Sequence, residues 1–88
     1  MYAGAFPVKA AQDQHHLFYW LFKNTSLPDT VPLVLWMNGG PGSTSMFGLW
    51  LENGPLRVRQ TSPYNDKFDV HLNPAGSWND IADIIYVD

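Results

Sequence analysis

Pro32-Leu33-Val34-Leu35-Trp36-Met37, followed at once by Asn38-Gly39-Gly40-Pro41-Gly42, is the stretch that decides the fold. The first six residues form a continuous apolar run, bounded by proline on one side and Asn-Gly-Gly on the other. Such a run fits a strand buried on both faces, as in a helix-covered parallel sheet. A strand that ends in Asn-Gly-Gly-Pro-Gly exposes backbone N–H groups at the carboxyl end of its sheet. Glycine reaches backbone conformations that other residues resist and lets a ligand approach closely. Two or more N–H groups held there can stabilise a developing oxyanion, at about 3 kcal/mol per donor. A tight turn after a strand is the plainer reading of an isolated Gly-Gly-Pro-Gly.

Outward from this stretch, three further runs read as strands. Ala5 to Val8 is short and weak, and its Pro7 suits a sheet edge. His16 to Phe22 is aromatic-rich and of strand length. Ile84 to Val87 is the last. Asn24 to Thr30, with Ser26, Pro28 and Asp29, reads as a turn. Ser43 to Asn53 predicts a short helix, because Met46, Leu49 and Trp50 fall at i, i+3 and i+4. Gly54 and Pro55 end it. Thr61 to Trp78 is polar, carries Pro63, Pro74 and Gly76, and reads as a surface excursion. The expectation is an α/β chain of about four strands with little helix. That is too little helix to cover both faces of a parallel sheet, so residues 1–88 are expected to form a single incomplete domain.

Composition narrows the function classes. The chain has 88 residues, is 45% hydrophobic and 15% charged, and carries four Trp, four Tyr and five Phe, which is globular rather than disordered. A chain this short buries only about 60% of its unfolded surface, so stability is expected to be marginal. With no cysteine there is no disulfide and no cysteine-based zinc site. The five Lys and Arg residues are scattered against eight Asp and Glu, which gives nucleic-acid binding no electrostatic footing. No apolar run approaches the roughly 20 residues of a membrane span. No basic-then-apolar leader precedes Tyr2; a leader removed or replaced upstream fits this start.

The surroundings of the glycine turn decide its reading. Trp36-Met37-Asn38-Gly39-Gly40-Pro41-Gly42, then Ser45-Met46-Phe47-Gly48, then Leu51-Glu52-Asn53-Gly54-Pro55 together resemble the signature of the serine carboxypeptidases, an α/β-hydrolase family. Tyr2-Ala3-Gly4, His16-Leu17-Phe18-Tyr19-Trp20, Ser77-Trp78-Asn79 and Ile84-Ile85-Tyr86-Val87-Asp88 resemble further segments of it, in the same order. The resemblance implies the N-terminal portion of an α/β-hydrolase sheet. It implies a serine-type carboxypeptidase acting on peptide C-termini, without metal or organic cofactor, in the secretory pathway, a lysosome or vacuole, or outside the cell.

Position by position, Gly40 matches the glycine whose N–H is one oxyanion-hole donor. Asn38 matches the asparagine that hydrogen-bonds the substrate's C-terminal carboxylate, with the N–H of Gly39 beside it. Glu52 matches a glutamate of the same network. Its carboxyl must be protonated to donate to a carboxylate, since like charges otherwise repel; an acid optimum is what the resemblance implies. Ser43 stands where most members have a disulfide-forming cysteine, and with Met46-Phe47-Gly48 this looks more like the vitellogenic-like branch. Met37 for leucine conserves volume. The family's nucleophile lies in a downstream G-E-S-Y elbow, followed by Asp and His; no G-x-S-x-G occurs here. The chain alone is therefore expected to be inactive, with the remainder of the enzyme as a candidate partner. A non-catalytic relative and an acyltransferase on the same scaffold are the alternatives.

Other residues have blander readings. Ser43, Thr44 and Ser45 read as helix-capping residues rather than nucleophiles. His15 and His16 face opposite sides of a strand, which disfavours a shared metal site. His71 reads as solvated, and Asp80 and Asp83 as a solvated face. Trp20, Trp36, Trp50 and Trp78 read as core or rim aromatics. Asn24-Thr25-Ser26 is a sequon in a predicted loop, which makes Asn24 a candidate glycosylation site.

Overall fold

The computed structural model describes residues 1–10 and 13–88. Strands β1 (Tyr2–Ala10), β2 (Asp13–Phe22), β3 (Leu33–Trp36) and β6 (Asp83–Val87) form one sheet in the order β1-β2-β6-β3. β6 lies antiparallel to β2, with Phe22 opposite Ile84, and parallel to β3, with Trp36 opposite Tyr86. β1 occupies the edge that its Pro7 predicts, but it runs nine residues rather than four, because it pairs with β2 along its whole length.

Side chains alternate across a strand with period two, and the even-numbered positions build the core. Phe22, Ile84 and Tyr86 are buried together with Leu49, and Trp20, Val34 and Trp36 pack against them from the same face. Met46, Leu49 and Trp50, the three positions the helical spacing selects, close over this face. Their helical segment is short and finishes as a π-type turn over Gly48–Glu52. There the Gly48 carbonyl accepts from the N–H of Asn53 at 3.1 Å and from that of Gly54 at 3.3 Å. The Thr44 hydroxyl accepts from Met46 N–H at 3.2 Å at the entry to this segment, while the π-type turn itself has no side-chain cap.

The stretch around β3 is not buried on both faces. Leu33, Leu35 and Met37 are 65%, 55% and 63% exposed. The physical reason is that the covering segment, Met46 to Leu56, lies wholly on the even-numbered side. The expected surface excursion, Thr61 to Trp78, contains one strand of a ribbon, and the stretch just before it supplies the other. β4 (Leu56–Gln60) and β5 (Phe68–Leu72) form an antiparallel ribbon that pairs Leu56 with Leu72 and Gln60 with Phe68. Phe68, Val70 and Leu72 remain exposed, so no buried apolar stripe marks these strands.

Of the three polar side chains read as solvated, Asp80 is exposed as expected but also bonded, while Asp83 and His71 are half-buried. Asp80 accepts from Ser77 N–H at 2.9 Å, while the Ser77 hydroxyl accepts from Asn79 N–H at 3.0 Å. This capping box opens a 3-10 turn at Trp78–Asp80. Asp83 accepts from Asn24 N–H at 2.8 Å. His71 sits on β5 opposite Arg57, and its Nδ1 is buried without a hydrogen-bond partner.

Tyr86 lies at the centre of the core, fully buried, and donates to Asn53 Oδ1 at 3.0 Å. Burial pushes its hydroxyl up to about 12; Glu52 adds to this and Arg57 opposes it. An unfolded tyrosine ionises near ~10. The folded state thus holds the proton more tightly, and this contribution is complete below about pH 10. It is lost as pH rises towards about 12, with a slope of at most about 1.4 kcal/mol per pH unit. Tyr86→Phe removes this part of the alkaline slope, at a cost of about 1 kcal/mol for the unpaired Asn53 acceptor. Urea midpoints measured from pH 8 to 11 compare the two proteins. Superimposable alkaline limbs would show that Tyr86 is not the group responsible.

Candidate functional site

Asn38 lies two residues past the end of β3, and its amide is held from three sides. Its Oδ1 accepts from Trp36 Nε1 at 2.8 Å and from Gly48 N–H at 3.2 Å. Its Nδ2 donates to Glu52 Oε1 at 3.0 Å. Two donors on the oxygen fix the orientation of the amide, since a flipped amide would set N–H groups against N–H groups. One Nδ2 hydrogen is spent on Glu52, which leaves the second for a ligand.

Gly48 makes this arrangement sterically feasible. A Cβ there would lie 2.1 Å from Trp36 Nε1 and 2.8 Å from Asn38 Oδ1. Glu52 closes the π-type turn and is exposed. Its main chain is anchored from behind: Arg57 Nη2 donates to the Glu52 carbonyl at 2.5 Å, and Nη1 to the Leu56 carbonyl at 2.9 Å.

The glycine-rich turn is built differently. Gly40 and Gly42 take φ values of 138° and 94°, where side chains are strained, and the Gly40-Pro41 peptide is cis. A single backbone bond spans the turn, from Ser43 N–H to the Gly39 carbonyl at 3.2 Å. Among the described residues no hydrogen bond engages the N–H of Gly39 or Gly40, and a Cβ on Gly39 would meet nothing within 4 Å. Two unengaged donors thus stand at an open turn that follows the oriented amide of Asn38. A cleft of about 460 Å³ adjoins Glu52, between Asn53 and the Gly76–Ile81 segment, but Asn38, Gly39 and Gly40 do not line it.

The structure therefore brings Asn38 and Glu52 into contact, with Gly39 and Gly40 following Asn38 in the chain. Asn24 lies apart, at the end of β2. Its Nδ2 donates to the Asn79 carbonyl and its Oδ1 accepts from Ser26 N–H, both at 3.0 Å. Trp36, read from sequence as a core or rim aromatic, also supplies one of the bonds that orient Asn38. Its edge-on packing against Trp78, with ring centroids 5.4 Å apart, keeps the indole in place. The role of Gly48 had no local signal beyond being a glycine next to an apolar periodicity.

Comparison with known proteins gives one consistent answer. A family model described as serine carboxypeptidase matches residues 1–88. The chain is 43% identical over 77 residues to carboxypeptidase Y homolog A of Fusarium vanettenii, covering 88% of this chain and 13% of that protein. It is 46% identical over 85 residues to the pheromone-processing carboxypeptidase of Ogataea parapolymorpha, covering 86% of this chain and 13% of that protein. Among solved structures, the prohormone-processing carboxypeptidase of Saccharomyces cerevisiae superposes with a TM-score of 0.76 at 32% identity. That superposition covers 98% of this chain and 18% of the other. The chain thus spans less than a fifth of the length of these relatives. It belongs to the serine carboxypeptidase family, and its four-stranded sheet is the N-terminal portion of an α/β-hydrolase sheet.

Proposed function

We propose that this chain supplies the carboxylate-recognition and oxyanion-binding elements of a serine-type carboxypeptidase. The observation that carries the reading is the Asn38–Glu52 pair, with the Asn38 oxygen pinned by Trp36 and Gly48 so that its nitrogen is presented outward. In this reading Asn38 Nδ2 and Gly39 N–H hold the permanent carboxylate of a peptide C-terminus. Gly40 N–H receives the charge that develops on the scissile carbonyl oxygen. Glu52, when protonated, donates a further hydrogen bond to the carboxylate; when ionised, it repels the substrate. A nucleophilic serine with its Asp and His would come from outside these 88 residues, so the remainder of an enzyme is the natural partner. Passage through the secretory pathway belongs to the same reading. Glycosylation at Asn24 would require its Nδ2 to give up the Asn79 carbonyl.

Two outcomes follow for the 88-residue protein. It does not turn over a blocked dipeptide at acid pH; turnover that survives rigorous purification would overturn the assignment of the nucleophile to another segment. Glu52→Gln, which keeps an acceptor for Asn38 Nδ2 and gains a donor without a charge, binds that dipeptide more tightly at neutral pH; unchanged affinity in Glu52→Gln would remove Glu52 from the site.

A further inference from the structure

We propose that Asp88 is a positioning residue for the glycine-rich turn: its carboxylate fastens Thr44 and Ser45 to the sheet and, through Ser45, sets Asn38. This rests on the reading of Asn38 to Gly40 as an anion site.

Asp88 is itself held by the sheet. Its N–H donates to the Phe18 carbonyl at 2.7 Å, and its carbonyl accepts from Phe18 N–H at 2.9 Å, which continues the β2–β6 pairing. Its two carboxylate oxygens take two donors from one segment: Oδ1 accepts from Ser45 N–H at 2.9 Å and Oδ2 from the Thr44 hydroxyl at 2.5 Å. Bonds to an ionised acceptor are stronger than neutral ones. Ser45 in turn is only 3% exposed, and its Oγ accepts from Asn38 N–H at 3.2 Å. A relay thus runs from Asp88 to Ser45 to the backbone of Asn38, whose side chain meets Glu52.

The turn needs such a fastening. Positions 39 and 42 have no neighbour within 4 Å of where a side chain would begin. Side-chain packing therefore contributes nothing at either, and one backbone bond spans the turn. Its geometry must be imposed from its two ends. β3 holds the first; Asp88 holds the second across more than forty residues of sequence.

The experiment uses the ¹⁵N-labelled chain with Asp88→Ala, Asp88→Asn and Thr44→Val. In Asp88→Ala the Ser45 amide exchanges roughly tenfold faster, in keeping with loss of a bond to a charged acceptor. The Asn38, Gly39 and Gly40 amide resonances shift, while exchange at Ile84 and Tyr86 is unchanged. Asp88→Asn keeps an acceptor for Ser45 and restores its protection to within about threefold. Thr44→Val moves the same three resonances in the same direction by less, and it decides the matter if Asp88→Ala does not fold. Unmoved resonances from Asn38 to Gly40 in the folded variants would overturn the proposal. A second arm measures affinity for a blocked peptide with a free carboxylate, which falls in Asp88→Ala and recovers in Asp88→Asn. Failure of the unaltered protein to prefer the free carboxylate would sink the anion-site reading, while the resonances still decide the role of Asp88.

Discussion

Gly54→Ala is expected to destabilise the chain by about 3 kcal/mol or more, the upper end of overpacking effects. A Cβ at position 54 would lie 1.8 Å from the Leu49 carbonyl oxygen, with the Leu49 carbonyl carbon at 2.5 Å and Cα at 2.6 Å. These are backbone atoms, so no rotamer change relieves the clash. Leu49 cannot retreat, because it is fully buried beneath the sheet. Gly54 cannot retreat either: its carbonyl accepts from Asn73 Nδ2 at 3.0 Å and its N–H donates to Gly48 at 3.3 Å. For a chain of this length, total stability of about 4–13 kcal/mol is typical, so a loss of about 3 kcal/mol removes between about a quarter and three quarters of it. Gly39→Ala is the control, because its Cβ would enter open space; it should cost under about 1 kcal/mol. Tryptophan fluorescence followed through urea unfolding reads both. A Gly54→Ala midpoint equal to that of the unaltered protein would show that the π-type turn is not packed as described.

The second large effect is expected at Asn38. Alanine there strands two donors, Trp36 Nε1 and Gly48 N–H, and releases Glu52. Leaving donors unsatisfied costs about 1–3 kcal/mol each when they are buried, and less here because the site is only half-enclosed. Under the proposed function the loss of binding should be greater, since the N–H assigned to the ligand and its orientation both disappear. Asn38→Asp separates the two consequences. Aspartate retains an acceptor for Trp36 and Gly48, but it sets a carboxylate oxygen against Glu52, where a donor stood 3.0 Å away. Stability at neutral pH then falls by like-charge repulsion, and affinity for a peptide carboxylate falls at least as far as in alanine. An Asn38→Asp protein that binds the peptide normally would show that the amide nitrogen does not contact it.

How much of this was legible depended on the range of the interaction. The Pro32 to Met37 run and the His16 to Phe22 run announced their strands, because apolar content and flanking breakers are local properties. The half-exposure of β3 was not legible. Whether Leu33, Leu35 and Met37 are covered depends on which side Met46 to Leu56 falls. β4 and β5 escaped because Phe68, Val70 and Leu72 face solvent and bury no stripe. In the site, Asn38 and Glu52 were selected by motif, while their contact spans fourteen residues and needed the turn at Gly48. Trp36 fits the apolar pattern, and that pattern carries no information about the partner of its indole N–H. Asp88 lies over forty residues from the segment it fastens, and no spacing rule connects them.

The central claim is that Asn38, Gly39 and Glu52 recognise a free peptide carboxylate. Equilibrium binding of an N-blocked dipeptide and its C-terminal amide to the 88-residue protein at acid pH measures this directly. The account predicts that the free acid binds roughly tenfold or more tightly, about the strength of one hydrogen bond to a charged group. The preference should vanish in Asn38→Ala. Equal affinity for acid and amide, or a preference that survives in Asn38→Ala, would contradict it.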